Sequence, residues 1–229
     1  MENSEKAELI EYLSQFVSDH KNELFTEKIA HRTRHVTVVI ENLFQEHNTS
    51  AVLRTADCFG VQDVHIIQGD HGYKINDDIA LGASKWLTIH SYKGNDNNTE
   101  SCLHELKARG YTIVATTPHR DDTNLEELDI SGPVAIVFGT ELEGISPTAV
   151  AMADKFMKVP MFGFTESLNI SVCAGICMHH LSWKLRQMGD TGRLSETERL
   201  DILLGWMRNA LKHPEQIEQE FYKRREGMK

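Results

Sequence analysis

The sequence predicts an α/β fold, a parallel sheet flanked by helices, and three observations carry that prediction. Short β-branched runs alternate with amphipathic segments along most of the chain. HVTVVIENL (35–43), HNTSAVLRTADCFG and DVHIIQ (63–68) make one β-α-β unit, whose strands should lie parallel with a right-handed crossover. At 229 residues, 40% of them hydrophobic and 25% charged, the chain can bury a substantial core.

The elements follow in order. Leu9, Ile10, Leu13, Phe16 and Val17 recur at spacings of one, three and four, which predicts a helix over 4–18. Beyond strand 35–43, Asn48 is placed to cap a helix that buries Ala51, Val52, Thr55, Ala56 and Phe59, and Gly60 ends it. After strand 63–68, WLTIH (86–90) reads as strand, GNDNNTE (94–100) as exposed loop and SCLHELKARG (101–110) as helix. YTIVATT (111–117) and PVAIVFG (133–139) are strands, and a short helix opens at Ser146-Pro147. KFMKVPM (155–161) is a strand and 168–187 a helix. SETERLDILLGWMRNALK (195–212) opens with a Ser195/Glu198 capping box and carries Leu200, Leu203, Leu204 and Met207 at helical spacing. The domains expected are an N-terminal helical extension (1–30), an α/β body (31–188) and a C-terminal helical extension (189–229).

Composition excludes several classes. No window approaches the roughly 18–20 consecutive apolar residues that span a bilayer. The start, MENSEKAELIEYL, is acidic and lacks the features of a secretory signal, so a cytoplasmic protein is expected. Cys58, Cys102, Cys173 and Cys177 are too few and too scattered for a disulfide framework; Cys173 and Cys177, four apart on one helix face, read as buried thiols, with a metal site the alternative. HRTRH (31–35) lacks the glutamate of a HExxH zinc motif and reads as a basic surface patch; no metal site is expected. The net charge of −10 weighs against a nucleic-acid partner, but it hides a gradient. Residues 1–30 hold three Lys/Arg against seven Asp/Glu, whereas from Lys184 onward ten Lys/Arg face eight acids.

The dinucleotide fingerprint, the P-loop and the G-x-S-x-G elbow are all absent from the sequence. Three other segments stand out. In the first, Asn48 to Gly60, Arg54 points away from the apolar face; it suits an anion or a phosphate, or is simply a solvated helix arginine. In the second, Val137 to Ser146, Gly139 and Gly144 permit close backbone approach, while Glu141 and Glu143 suit a neutral or cationic ligand, or merely face water. In the third, Val159 to Ser171, Ser167 and Asn169 either cap the following helix or face a ligand.

Taken in this order, the segments resemble the motifs of the SpoU (TrmH) branch of the SPOUT RNA ribose 2'-O-methyltransferases. The matching pieces are N-x-x-A-x-x-R-T-A-x-x-F-G, F-G-x-E-x-x-G-I-S and I/V-P-M-x-G-x-x-x-S-L-N-x-S-V, over roughly 35–185. The resemblance implies that 31–188 is a catalytic domain with a C-terminal trefoil knot, that S-adenosylmethionine is held in the knot, and that the enzyme is a homodimer with its active site near the subunit interface. By position it implies a catalytic set of Asn48, Arg54, Glu141, Ser167 and Asn169, with Thr116, Gly139, Val159 and Leu168 around the cofactor. It further implies that Arg54 takes the proton of the 2'-hydroxyl. Because a guanidinium stays protonated in the physiological range, the chemistry favours Arg54 holding the target phosphate and steadying the developing alkoxide, with deprotonation its further role or that of a phosphate oxygen. The helical extensions resemble those of tRNA guanosine 2'-O-methyltransferases acting on the D-loop. On that layout, His31, Arg32, Arg34, Lys223, Arg224 and Arg225 are assigned to RNA phosphates. Ribosomal RNA as substrate, or a catalytically idle RNA-binding scaffold, are the alternatives.

Overall fold

The computed structural model describes residues 1–41, 46–68, 80–94, 97–117, 123–140 and 143–227. Their contacts divide the chain into two compact units, Thr33–Gly192 and a second made of Met1–Arg32 with Arg193–Lys229.

The larger unit is built on seven parallel strands: β1 (Val36–Glu41), β2 (Asp63–Ile67), β3 (Thr88–Tyr92), β4 (Thr112–Thr116), β5 (Thr123–Asn124), β6 (Val134–Phe138) and β7 (Lys155–Lys158). They lie in the order β3-β2-β1-β6-β4-β7-β5. Pairings such as Val38↔Val64 and Val38↔Ile136 set the register of the central strand. All six residues of β1 are buried, as expected for a strand covered on both faces. Side-chain alternation splits them. Val36, Val38 and Ile40 pack with Val52, Leu53 and Ala56 of α3 (Glu46–Phe59) and with Ala174, Cys177 and Leu181 of α6 (Ile170–Arg186). Val39 faces the other way, towards Leu103 and Leu106 of α4 (Asn98–Ala108) and Ala149 of α5 (Pro147–Met152). The result is a three-layer α/β unit.

The smaller unit holds α1 (Asn3–Ser14), α2 (Asp19–Ile29), α7 (Glu196–Ala210) and α8 (Pro214–Gly227). Leu9, Leu13, Phe25, Ile29, Ile202, Leu204 and Trp206 are buried in it, and the Phe25 and Trp206 rings lie 5.5 Å apart. The capping box at Ser195 and Glu198 is present as predicted.

Several elements differ from the sequence expectation. Helix α3 begins at Glu46, so Asn48 lies within its first turn instead of capping it; the acidic Glu46 there favours the helix dipole and extends the start. Helix α4 takes in Asn98 to Glu100, part of the segment read as loop. The predicted first helix stops at Ser14, and α2 follows from Asp19. Residues 42–43 of the predicted first strand lie outside the described residues.

Candidate active site

The carboxyl ends of the adjacent strands β6, β4 and β7 open into a cavity of about 380 Å³. Such strand ends are where ligands bind in open α/β sheets, because side chains and backbone groups converge there while the connecting helices lie outside. Thr116 ends β4, Phe138 ends β6 with Gly139 just beyond, and Lys158 ends β7 with Val159 just beyond; all of them line the cavity. Val159 and Leu168 supply half-buried apolar surface to it. The Thr116 hydroxyl donates to the Val137 carbonyl at 2.9 Å, which fixes its rotamer at the mouth.

Gly139 is required by close approach. A Cβ there would stand 2.1 Å from the Gly144 oxygen and 2.4 Å from the Ile145 nitrogen, distances no side chain tolerates. The approach is locked by paired backbone bonds, Thr140 N–H to Gly144 C=O at 2.8 Å and the return bond at 3.0 Å. Gly144 itself has φ +70°, the left-handed conformation glycine adopts without strain.

Two helix starts meet beside the site through Asn48 and Asn169, neither of which is among the residues lining the cavity. Asn169 caps α6, its side-chain oxygen accepting from the Ser171 N–H at 2.9 Å, and its Nδ2 donates to the buried Asn48 Oδ1 at 3.3 Å. The first and third sequence segments, 121 residues apart, are therefore joined by their asparagines. Helix α3 packs on α6, with Thr55 beside Gly175 and Phe59 edge-on to His179. Ser167 is exposed and lines the cavity; the cap role falls to Asn169. Arg54 stands six residues beyond Asn48, exposed, and is not among the residues lining the cavity. Glu141 lies outside the described residues.

Thr117, Thr140, Ile145, Met161, Ile170 and Cys173 also line the cavity; four of them fall inside the singled-out segments without being named as site residues, and Thr117 and Cys173 lie outside those segments. Cys173, read as a plain buried thiol, is half-buried on its wall. Threonine hydroxyls, open backbone groups and apolar walls suit an adenosine moiety, and exposed Glu143 and Glu166 complement a cationic group. The residues present fit S-adenosylmethionine.

The HRTRH segment is not a uniform basic surface. His31 is exposed, but Arg32 is buried with its guanidinium 5.2 Å from the Trp206 ring centroid. The Arg34 Nε lies 3.3 Å from the buried Asp63 carboxylate, and the His35 ring bonds the Ile130 carbonyl at 2.7 Å. Guanidiniums stack on tryptophan and pair with buried carboxylates readily, so their charge alone did not fix them at the surface. In the helical unit, Arg225 sits 3.4 Å from Glu5 and 3.6 Å from Glu8, and Arg224 pairs with Glu220 while lying over the Tyr12 ring. Lys223 is exposed.

Residues 35–179 match the sequence model of the SpoU rRNA Methylase family. The chain is 38% identical to a tRNA (guanosine(18)-2'-O)-methyltransferase of Borreliella burgdorferi, over 90% of this chain and 93% of that protein. It is 35% identical to the enzyme of the same name from Aquifex aeolicus, over 86% and 92% of the two chains. The crystal structure of the A. aeolicus TrmH/SpoU tRNA modifying enzyme superposes with a TM-score of 0.75, covering 84% of this chain and 98% of that one at 33% identity.

Proposed function

Since the chain belongs to the SpoU rRNA methylase family, we propose that it is an S-adenosylmethionine-dependent tRNA ribose 2'-O-methyltransferase acting on the D-loop guanosine at position 18. The relatives named for that reaction support the substrate, because they match this chain along nearly their whole length, helical extensions included. The observation that carries the reading is the Asn48–Asn169 hydrogen bond, which joins the first motif to the cavity-lining third one.

Bound in the cavity, the donor supplies an electrophilic methyl group on a sulfonium. Thr116, Gly139, Val159 and Leu168 hold it and keep water away, with the Gly139 backbone free of any side chain. Asn48 and Asn169 fix one another at the edge where the ribose enters. Arg54 works on the RNA side, where its guanidinium holds the target phosphate and stabilises charge building on the 2'-oxygen. Ser167 orients the same sugar, and Glu141 belongs to this set by its motif position. Phosphate contacts fall to exposed His31 and Lys223, with Arg32, Arg34, Arg224 and Arg225 joining if RNA draws them from their present partners.

A homodimer completes the proposal. Helix α6 exposes Val172, Ile176 and Trp183 at helical spacing, an apolar stripe that a second copy would cover. The C-terminal trefoil knot that the family resemblance implies belongs to this proposal. Among the described residues no helix is long and apolar enough to cross a membrane. We place the enzyme in the cytoplasm, with the tRNA it modifies. The test is incubation with labelled S-adenosylmethionine and total tRNA or ribosomal RNA, followed by mapping of ribose methylation. Label at the 2'-oxygen of the D-loop guanosine is expected; label on a base, or on ribosomal RNA alone, overturns the assignment.

A further inference from the structure

We infer that Glu41 is a positioning residue for the donor cavity. Its buried carboxylate anchors Ser146 and thereby the cavity-lining Gly144 and Ile145; the inference rests on the donor site proposed above. Glu41 closes β1, and strand alternation puts it with Thr37 and Val39 on the face covered by α4 and α5. It is 1% exposed. Its Oε1 accepts from the Thr99 hydroxyl at 2.6 Å and the Ser146 hydroxyl at 2.7 Å, and its Oε2 accepts from the Ser146 N–H at 2.8 Å. The Ser146 oxygen in turn accepts from the Ala149 N–H at 3.1 Å, capping α5.

A leucine at this position would fill the same layer without desolvating a charge, and buried charges seldom add stability over a well-packed hydrocarbon. What the carboxylate supplies instead is two acceptors at fixed positions. They clamp both the main chain and the side chain of the residue that follows Ile145. Ile145 and Gly144 line the cavity, and it is their backbone against which Gly139 closes. The carboxylate therefore sets where one wall stands before any donor arrives, which lowers the ordering cost of binding. Thr99 shares the carboxylate but lies on α4, away from that wall.

The experiment is isothermal titration of the full-length protein with S-adenosylmethionine, well below each variant's Tm, with thermal melts recorded without donor. Glu41→Ala should raise the donor Kd about tenfold, equivalent to about 1.4 kcal/mol. In steady state the donor KM should rise in parallel while kcat at saturation stays within about threefold. Glu41→Gln should restore the Kd to within about threefold of wild type, since its amide oxygen still accepts from Ser146 N–H and its NH2 can donate to both hydroxyls. Thr99→Val should lower the Tm yet leave the Kd within about twofold, because it loosens only the α4 side. Should Glu41→Ala fail to fold, Ser146→Ala carries the test with an expected rise of about threefold. A folded Glu41→Ala or Ser146→Ala with wild-type Kd overturns the inference, as does an equal loss in Thr99→Val. If wild type itself takes up no donor, the proposed function falls and this inference with it.

Discussion

Arg54 and His65 show how differently two basic side chains are used. Arg54 is exposed and does not line the cavity. On the role proposed for it, Arg54→Ala should cut turnover by about 10²–10³, the usual effect of removing one transition-state donor, while titration finds donor affinity unchanged because the side chain is no part of the cavity. Arg54→Lys should recover little, because an ammonium cannot present the bidentate fork that grips a phosphate. His65 lies fully buried on β2, stacked 4.3 Å from the His90 ring, with Nδ1 hydrogen-bonded at 3.0 Å to the Tyr92 hydroxyl, which itself donates to Glu105. Burial pushes its pKa down to about 3, the neighbouring His90 and Arg109 add to this, and Asp63 opposes them. The folded state thus keeps His65 neutral where the unfolded chain, with a pKa near 6.5, takes a proton. Its contribution is complete above that value and is lost as pH falls from about 6.5 towards 3, at up to about 1.4 kcal/mol per unit. Thermal melts between pH 7 and 4 should show a falling Tm whose slope is shallower in His65→Asn. Equal slopes would refute this.

At the scale of elements, the two structures that define the site respond to opposite kinds of change. Adding one methyl group at Gly139 must push apart the Gly144–Ile145 backbone, so Gly139→Ala should abolish detectable donor binding in titration while the far-UV signal persists. On α6 the vulnerable face is the outer one: if the proposed dimer forms through it, light scattering should find Ile176→Glu monomeric, since a charge in an apolar contact is left unpaired. Much of this architecture was legible. The near-continuous β-branched and apolar runs at 36–41 and 134–138 and the helical spacing in 46–59 and 196–210 reflect burial, and burial is what hydrophobic patterning records. The two-residue β5 was not legible, because it is too short to carry a period. Asn48 misled as a cap because an asparagine buried in a first turn and one at a helix start look alike in sequence. Glu41 gave no signal at all: a carboxylate at a strand end reads as solvent-facing until α4 and α5 are known to cover it.

For the whole molecule, the question is how a chain of net charge −10 engages a polyanion. The charge is unevenly divided. The larger unit carries 12 Lys/Arg against 20 Asp/Glu, whereas the smaller, with fewer than half as many residues, carries 12 against 14. Cations are therefore denser in the helical unit, and local fields, screened beyond about 8 Å in physiological salt, decide where phosphates dock. Within that unit the acidic face of α1 already holds Arg225 through Glu5 and Glu8. Exposed ion pairs of this kind are weak, so RNA phosphates can displace the carboxylates. Two substitutions then act in opposite directions. Alanine at Lys223, Arg224 and Arg225 together should weaken tRNA binding and reduce the slope of log K against log salt by about one to three, one contact each at most. Glu5→Gln with Glu8→Gln should tighten tRNA binding at low salt by freeing Arg225. Neither change should move the donor Kd, because both lie in the helical unit and the cavity lies in the other. Filter binding across a salt series measures all of this, and a triple variant with an unaltered slope would remove the C-terminal cations from the RNA interface.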